Sequence, residues 1–150
     1  MSGQTPVGQA PVMRGRGIVS GVVVAEALVT GDGISGWGGI DSSDGMIVER
    51  RHELVGQCFT GKVLVFPSAK GSSGWSGHFQ ATRLMGTAPA AMVISVMTTK
   101  AALGAIVTRV PTVIAAEPDP VTTIRTGDLV RVDGDAGTVE ILSRASVEAE

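Results

Sequence analysis

The chain of 150 residues has one cysteine, no tyrosine, and only three phenylalanines and two tryptophans. A single thiol, Cys58, forms no disulfide within the chain, and it falls short of the ligand set of an iron–sulfur cluster or a structural zinc site. The sequence therefore reads as a protein of a reducing, cytoplasmic setting. So few aromatic rings leave little to stack nucleobases. The formal net charge is −2 and the basic residues are scattered, so there is no electrostatic footprint for nucleic acid. No apolar run approaches the length of a membrane span, and no charged start leads into a short apolar segment as in a secretion signal.

What is abundant is small and aliphatic. Hydrophobic residues make up 43% of the chain and glycines number 21, about twice the usual share of glycine. The core must be built from Val, Ile, Leu, Ala and Met, and strands joined by tight turns are favoured over long helices. The length suits one domain with a genuine core. Residues 1–12, rich in Gly, Gln and Pro, read as a flexible tail. Residues 13–144 read as a single β-rich α/β domain, and residues 145–150 as a frayed acidic tail.

Within the domain, residues 14–29 are β-branched and read as one strand, or as two with a break at Gly21. A glycine-rich segment follows, in which Trp37 is either a plug over the core or a ligand contact. The segment Asp41-Ser42-Ser43-Asp44-Gly45 lacks the alternating oxygen ligands and distal Glu of a calcium loop. Residues 46–49 form a short strand, and His52 reads as a loop residue more readily than a catalytic one. The run Gly56-Gln57-Cys58-Phe59-Thr60-Gly61-Lys62 has P-loop spacing. Val63 stands where Ser or Thr would hold magnesium, and the Gly-Lys pair leads into a strand, so a turn is the better reading.

The apolar run Val63-Leu64-Val65-Phe66 is a buried strand. Behind it comes Pro67-Ser68-Ala69-Lys70-Gly71-Ser72-Ser73-Gly74-Trp75-Ser76-Gly77, then a short helix over residues 77–85. Its N-cap is expected at Ser73 or Ser76, its apolar face at Phe79, Leu84 and Met85, and its end at Gly86. A glycine-rich loop at a helix start, carrying a lysine and two hydroxyls, suits an anionic substrate. It is equally the composition of an ordinary capped turn. Further along, residues 90–97 read as a strand, residues 100–103 as a helical turn, and residues 104–107 and 111–115 as short strands. Residues 117–120 read as a loop. Alternation in residues 129–133 and 138–142 about a Gly134–Gly137 turn predicts a hairpin.

Three blocks together resemble the small, swivelling subunit of the aconitase X group of dehydratases. They are Ile34-Ser35-Gly36-Trp37-Gly38-Gly39-Ile40-Asp41, the strand and loop from Gly61 to Ser73, and Gly86-Thr87-Ala88-Pro89-Ala90-Ala91. The resemblance spans roughly residues 14–142. It implies a swivelling β/β/α domain with a barrel-like β body and short flanking helices. It also implies a hydro-lyase that works only with a larger partner subunit, which holds an iron or iron–sulfur centre; this chain alone would bind none. Within that family's wider superfamily a Gly-Ser-Ser loop supplies the base that removes a proton beside a carboxylate. Carried over, Ser72 is the catalytic base, and Lys70, Gly71, Ser73, Gly74 and Trp75 are substrate-binding. Gly74 stands where aconitases that act on tricarboxylic acids have an Arg, which argues against such a substrate.

The resemblance implies one of two substrates, cis-3-hydroxy-L-proline or mevalonate 5-phosphate. The loop offers Lys70 as its one cation, with Arg83 two turns along the helix. Trp75, His78 and Phe79 are enough to wall a small ring, which favours hydroxyproline over a phosphate ester. A non-catalytic binding or regulatory module is the alternative from a different class.

Overall fold

The computed structural model describes residues 10–71 and 74–145. The chain runs through β1 (Met13–Val19), β2 (Val22–Val29), β3 (Ile34–Ser35), β4 (Ile40–Asp41), β5 (Met46–Ile47), β6 (Val63–Phe66) and β7 (Ala69–Lys70). It continues through α1 (Trp75–Met85), β8 (Ala91–Ile94), α2 (Thr99–Thr108), β9 (Thr112–Glu117), α3 (Pro120–Thr123), β10 (Leu129–Asp133) and β11 (Thr138–Ser143). The expected break in the first β segment falls at Gly21, between β1 and β2. The tail expected over residues 1–12 lies outside the described residues as far as residue 9, and the C-terminal tail lies outside them beyond Ala145.

Seven strands close into a barrel in the order β1-β11-β10-β2-β6-β8-β9, with β9 pairing back to β1. One half is antiparallel and holds the expected hairpin, in which Val132 faces Val139 and Asp133 faces Thr138. The other half, β2-β6-β8-β9, is parallel. Parallel neighbours need a crossover connection, and α1 and α2 provide two of them, from β6 to β8 and from β8 to β9. Each central strand buries both faces. Val63 and Val65 of β6 join Val93, Val113, Val130 and Val139 in one apolar cluster. Leu64 and Phe66 turn to the other side and pack with Trp75, Phe79 and Ala105. Each fully buried large aliphatic or aromatic side chain contributes about 1.5–3 kcal/mol. The two clusters on either side of the sheet thus fix its position against the helices.

The helices depart from expectation in two places. Helix α1 begins at Trp75 with Gly74 as N-cap, so neither Ser73 nor Ser76 caps it. Its buried face is Trp75, Phe79 and Thr82, while Leu84 and Met85 are 69% and 56% exposed. Residues 99–108, expected as a turn followed by a strand, form one helix, α2. The Thr98 side chain accepts a hydrogen bond from the Ala101 N–H at its start, and Ala101, Gly104, Ala105 and Thr108 are buried. That spacing is helical. The small residues give it little hydrophobic contrast, so its helical state is set by the cap and by packing on α1. Pro120, read as the end of a loop over residues 117–120, opens the short helix α3, capped by Asp119.

Candidate active site

The four parallel strands all end on one side of the barrel, where binding sites of α/β folds gather. The connections that leave them are stitched together there. The Thr30 N–H donates to the Val65 carbonyl (3.0 Å), the Ile34 N–H to Ser68 (3.0 Å), Ser95 N–H to Phe66 (3.1 Å) and Val96 N–H to Pro67 (2.9 Å). Ser95 Oγ also donates to Asp119 Oδ1 at 2.7 Å.

Two of the three sequence blocks meet in this cluster. β3 and β7 pair in parallel, Ile34 beside Ala69 and Ser35 beside Lys70. The first block lies so close to the start of α1 that a Cβ on Gly36 would stand 3.0 Å from Trp75 Cα and 3.1 Å from His78 Cδ2. Gly71 turns the chain with φ +99°, a conformation that side chains resist, and its side is open toward Ser35. The third block is a joint, remote from this cluster in its contacts. Its Thr87 hydroxyl donates to the Ser42 carbonyl, and its Thr87 carbonyl accepts from the Thr60 hydroxyl.

Of the residues expected to act, Ser72 and Ser73 lie outside the described residues. Gly71 and Gly74 bracket them, and Gly74 opens α1. Trp75, expected to bind substrate, is turned into the core. It is 1% exposed, its indole N–H donates to the Ile34 carbonyl at 2.7 Å, and its ring stacks on Phe79 with centroids 4.3 Å apart. As the first residue of a helix lying on the sheet, it points inward. Phe79 is fully buried beside it, so the wall expected from Trp75, His78 and Phe79 does not form. Lys70 is taken up by Glu49, with Nζ 3.3 Å from Oε2. Arg83 turns toward the end of α2, its Nε donating to the Val107 carbonyl at 3.0 Å.

The cation that does reach the loop is Lys100, from the first turn of α2. Its Nζ donates to the Gly71 carbonyl. Lys100 also lines a cavity of about 420 Å³ with Ser76, Thr98, Thr99 and Leu103, beside the starts of both long helices. Sequence reasoning missed it because it lies far along the chain from the loop. The one available sign was Thr98 as an N-cap with small residues at helical spacing behind it.

His52 has a structural role. It is buried, its Nε2 donates to the Gly33 carbonyl (3.1 Å), and its Nδ1 accepts from the Leu54 N–H (3.0 Å). Trp37 is 78% exposed, so it is no plug. Among the described residues no group of three or more His, Cys, Asp and Glu could hold a metal, and Cys58 is exposed. The described residues therefore do not fit an iron or iron–sulfur centre. No helix among them is long and apolar enough to cross a membrane.

The aconitase X swivel domain family model matches residues 12–141. The chain belongs to that family. The phosphomevalonate dehydratase small subunit of Methanocella arvoryzae is 41% identical over 131 residues, covering 86% of this chain and 98% of that protein. The protein of the same name from Methanosarcina acetivorans is 36% identical over 130 residues, covering 87% and 90%. The crystal structure of Thermococcus kodakaraensis aconitase X in its holo-form superposes with a TM-score of 0.84 at 37% identity, covering 89% of this chain and 99% of that one. The β-rich swivel fold implied by the sequence blocks is thus the fold of the chain.

Proposed function

We propose that this chain is the small subunit of a phosphomevalonate dehydratase. It would act with a larger subunit that holds the iron or iron–sulfur centre, and remove water from mevalonate 5-phosphate. The observation that carries this reading is identity of 41% along nearly the whole length of a relative that bears that name. It replaces the hydroxyproline expectation, whose supports have gone. Trp75 and Phe79 are core residues, and the loop has a cation, Lys100, that the local sequence did not count. A phosphorylated substrate needs several charge-assisted donors. Lys100 is one this chain can offer, and the partner subunit would add others.

In this reading Ser72 is the base. A serine hydroxyl is a poor base at neutral pH unless its alkoxide is stabilised by fixed donors and positive charge. The start of α1 brings backbone N–H groups whose helix dipole favours an anion. Gly71 and Gly74 let the backbone approach the substrate, and the Lys100 ammonium adds charge beside them. Ser72 takes the proton next to the substrate carboxylate, and the neighbouring hydroxyl leaves. A metal centre held by the partner would supply Lewis acidity for that departure. Because the described residues of this chain offer no metal site, the chain on its own should be colourless and inactive.

The test is reconstitution. The chain is co-expressed with a cysteine-bearing large subunit of the same family, and the complex is assayed with mevalonate 5-phosphate and with cis-3-hydroxy-L-proline side by side. The expected result is turnover of the phosphate ester and little or none of the amino acid. Faster turnover of hydroxyproline overturns the substrate assignment. Dehydratase activity of this chain alone overturns the division of labour between two subunits.

A further inference from the structure

The geometry points to Lys100 as the residue that holds Gly71 and through it positions the loop carrying the proposed base. This inference rests on the dehydratase reading above.

Three observations carry it. First, the Lys100 ammonium donates to the carbonyl of Gly71. That oxygen belongs to the peptide unit joining Gly71 to residue 72, and a peptide unit is planar. Holding the oxygen therefore restrains the plane through which the loop continues. Gly71 itself, at φ +99°, supplies a conformation that nothing in its own side chain would hold in place.

Second, Lys100 is in the wrong place for helix stability. It occupies the first turn of α2, which contains no acidic residue, and a cation there opposes the positive end of the helix dipole. An Asp or Glu would serve the helix better. A residue that breaks a local rule without serving the element it belongs to marks a functional position. The Lys100 side chain is turned across to the loop, along the cavity shared with Ser76 and Thr98.

Third, the alternative cation is engaged. Lys70 lies two residues before Ser72, but its ammonium sits 3.3 Å from Glu49 Oε2, and its Cδ lies against Gly33. It braces the loop at residues 30–33 and is neutralised by the carboxylate.

The test compares Lys100→Met, Lys100→Arg and Lys70→Met in the assembly with the large subunit. Met keeps the length and helix propensity of Lys and removes only the charge and the donor. In Lys100→Met, kcat on mevalonate 5-phosphate should fall about a hundredfold, the scale of a misplaced catalytic group, with much less change in KM. Lys100→Arg should recover a large part of that loss, and Lys70→Met should lower kcat much less than Lys100→Met. Thermal unfolding should be unchanged in all three. The second readout is independent of substrate. Hydrogen exchange of the amides of Gly71, Gly74 and Trp75, on either side of the loop, should be faster in Lys100→Met, with the amides of β6 unaffected. Retained kcat in Lys100→Met, or unchanged exchange at those amides, overturns the inference. If the wild-type assembly does not turn over mevalonate 5-phosphate, the dehydratase reading fails, and the exchange comparison still decides whether Lys100 holds the loop.

Discussion

Substitution of Gly104 by alanine should destabilise this protein, although the same change in most helices does the opposite. Gly104 lies within α2, where alanine is favoured over glycine by about 1 kcal/mol. The helix, however, packs its glycine onto an indole. A Cβ at position 104 would stand 2.1 Å from Trp75 Cζ3 and 2.5 Å from Cε3. Carbon atoms in contact settle near 3.5–4.0 Å, so one partner must move by more than an ångström. The indole has nowhere to go. Its N–H is bonded to the Ile34 carbonyl at 2.7 Å, one face is stacked on Phe79, and Phe66 lies 6.1 Å away between centroids. Moving α2 instead would disturb Ala101, Ala105 and Thr108, all buried. Overpacking costs about 1–3 kcal/mol, and leaving the Ile34 carbonyl without its donor about 1–3 more. At the middle of these ranges, and against the helix gain, a net loss of about 3 kcal/mol follows. For a chain of this size that lowers Tm by roughly 4–12 °C.

The same reasoning makes a sharper claim for the pair. Trp75→Phe removes the benzo ring that meets position 104, together with the indole donor, and costs about 2–3 kcal/mol by itself. In that background Gly104→Ala has room for its methyl group and should be neutral or stabilising. The double-mutant cycle should therefore show a favourable coupling of about 2–3 kcal/mol. Thermal unfolding of the four variants, with KM for mevalonate 5-phosphate in the assembled enzyme, checks it. A raised Tm for Gly104→Ala alone, or simple additivity, refutes the packing account. A KM that rises for Trp75→Phe out of proportion to its stability loss would restore Trp75 as a substrate contact.

Ser72→Ala should leave assembly and Tm unchanged and lower turnover by about a hundredfold or more; near-normal turnover in steady-state assays would remove Ser72 as the base. Thr98→Ala removes the side-chain acceptor for the Ala101 N–H at the start of α2 and should cost about 1 kcal/mol, seen as a drop of roughly 2–4 °C in Tm. An unchanged Tm would show that packing alone sets the helix start. Trp37, 78% exposed beside the candidate site, should contribute to the larger subunit's contact. Trp37→Ser should change stability by less than about 0.5 kcal/mol and weaken association by about 2 kcal/mol, measured by titration calorimetry. Equal affinity would exclude Trp37 from that contact.

Sequence reasoning served best where the deciding interaction is local. The hairpin of β10 and β11 follows from strict alternation in residues 129–133 and a Gly-Asp-Ala-Gly turn, and β6 from an apolar run bounded by Gly61 and Pro67. The site loop was legible for the same reason. The arrangement of strand, glycine-rich turn and helix start is written in consecutive residues. α2 was not legible. Its Ala-Ala-Leu-Gly-Ala-Ile-Val core presents neither a polar face nor a clear period, and its helical state depends on Thr98 and on contact with α1.

The two tryptophans show why the residues around the loop read as a wall for a small ring. Each sits among glycines, and adjacency to a catalytic motif makes either one read as a ligand contact. Side-chain direction is set elsewhere. Trp75 is the first residue of a helix laid on the sheet, so it enters the core and closes α1 onto Gly104 and Ile34. Trp37 lies in the loop beyond β3, and its ring faces outward. Two of the three residues of the ring wall that favoured hydroxyproline, Trp75 and Phe79, are core residues. Charge was misjudged by the same route: Lys70 is near the loop in sequence and is bound by Glu49, whereas Lys100 arrives from another helix. Within this fold the loop that holds the proposed base belongs to one crossover connection and Lys100 to the next. The helix that carries the cation is in turn held against the first by Gly104 on Trp75. Stability at that contact and charge at the loop are therefore coupled through one helix, so Gly104→Ala should reduce activity as well as Tm, even though Gly104 touches no part of the candidate site.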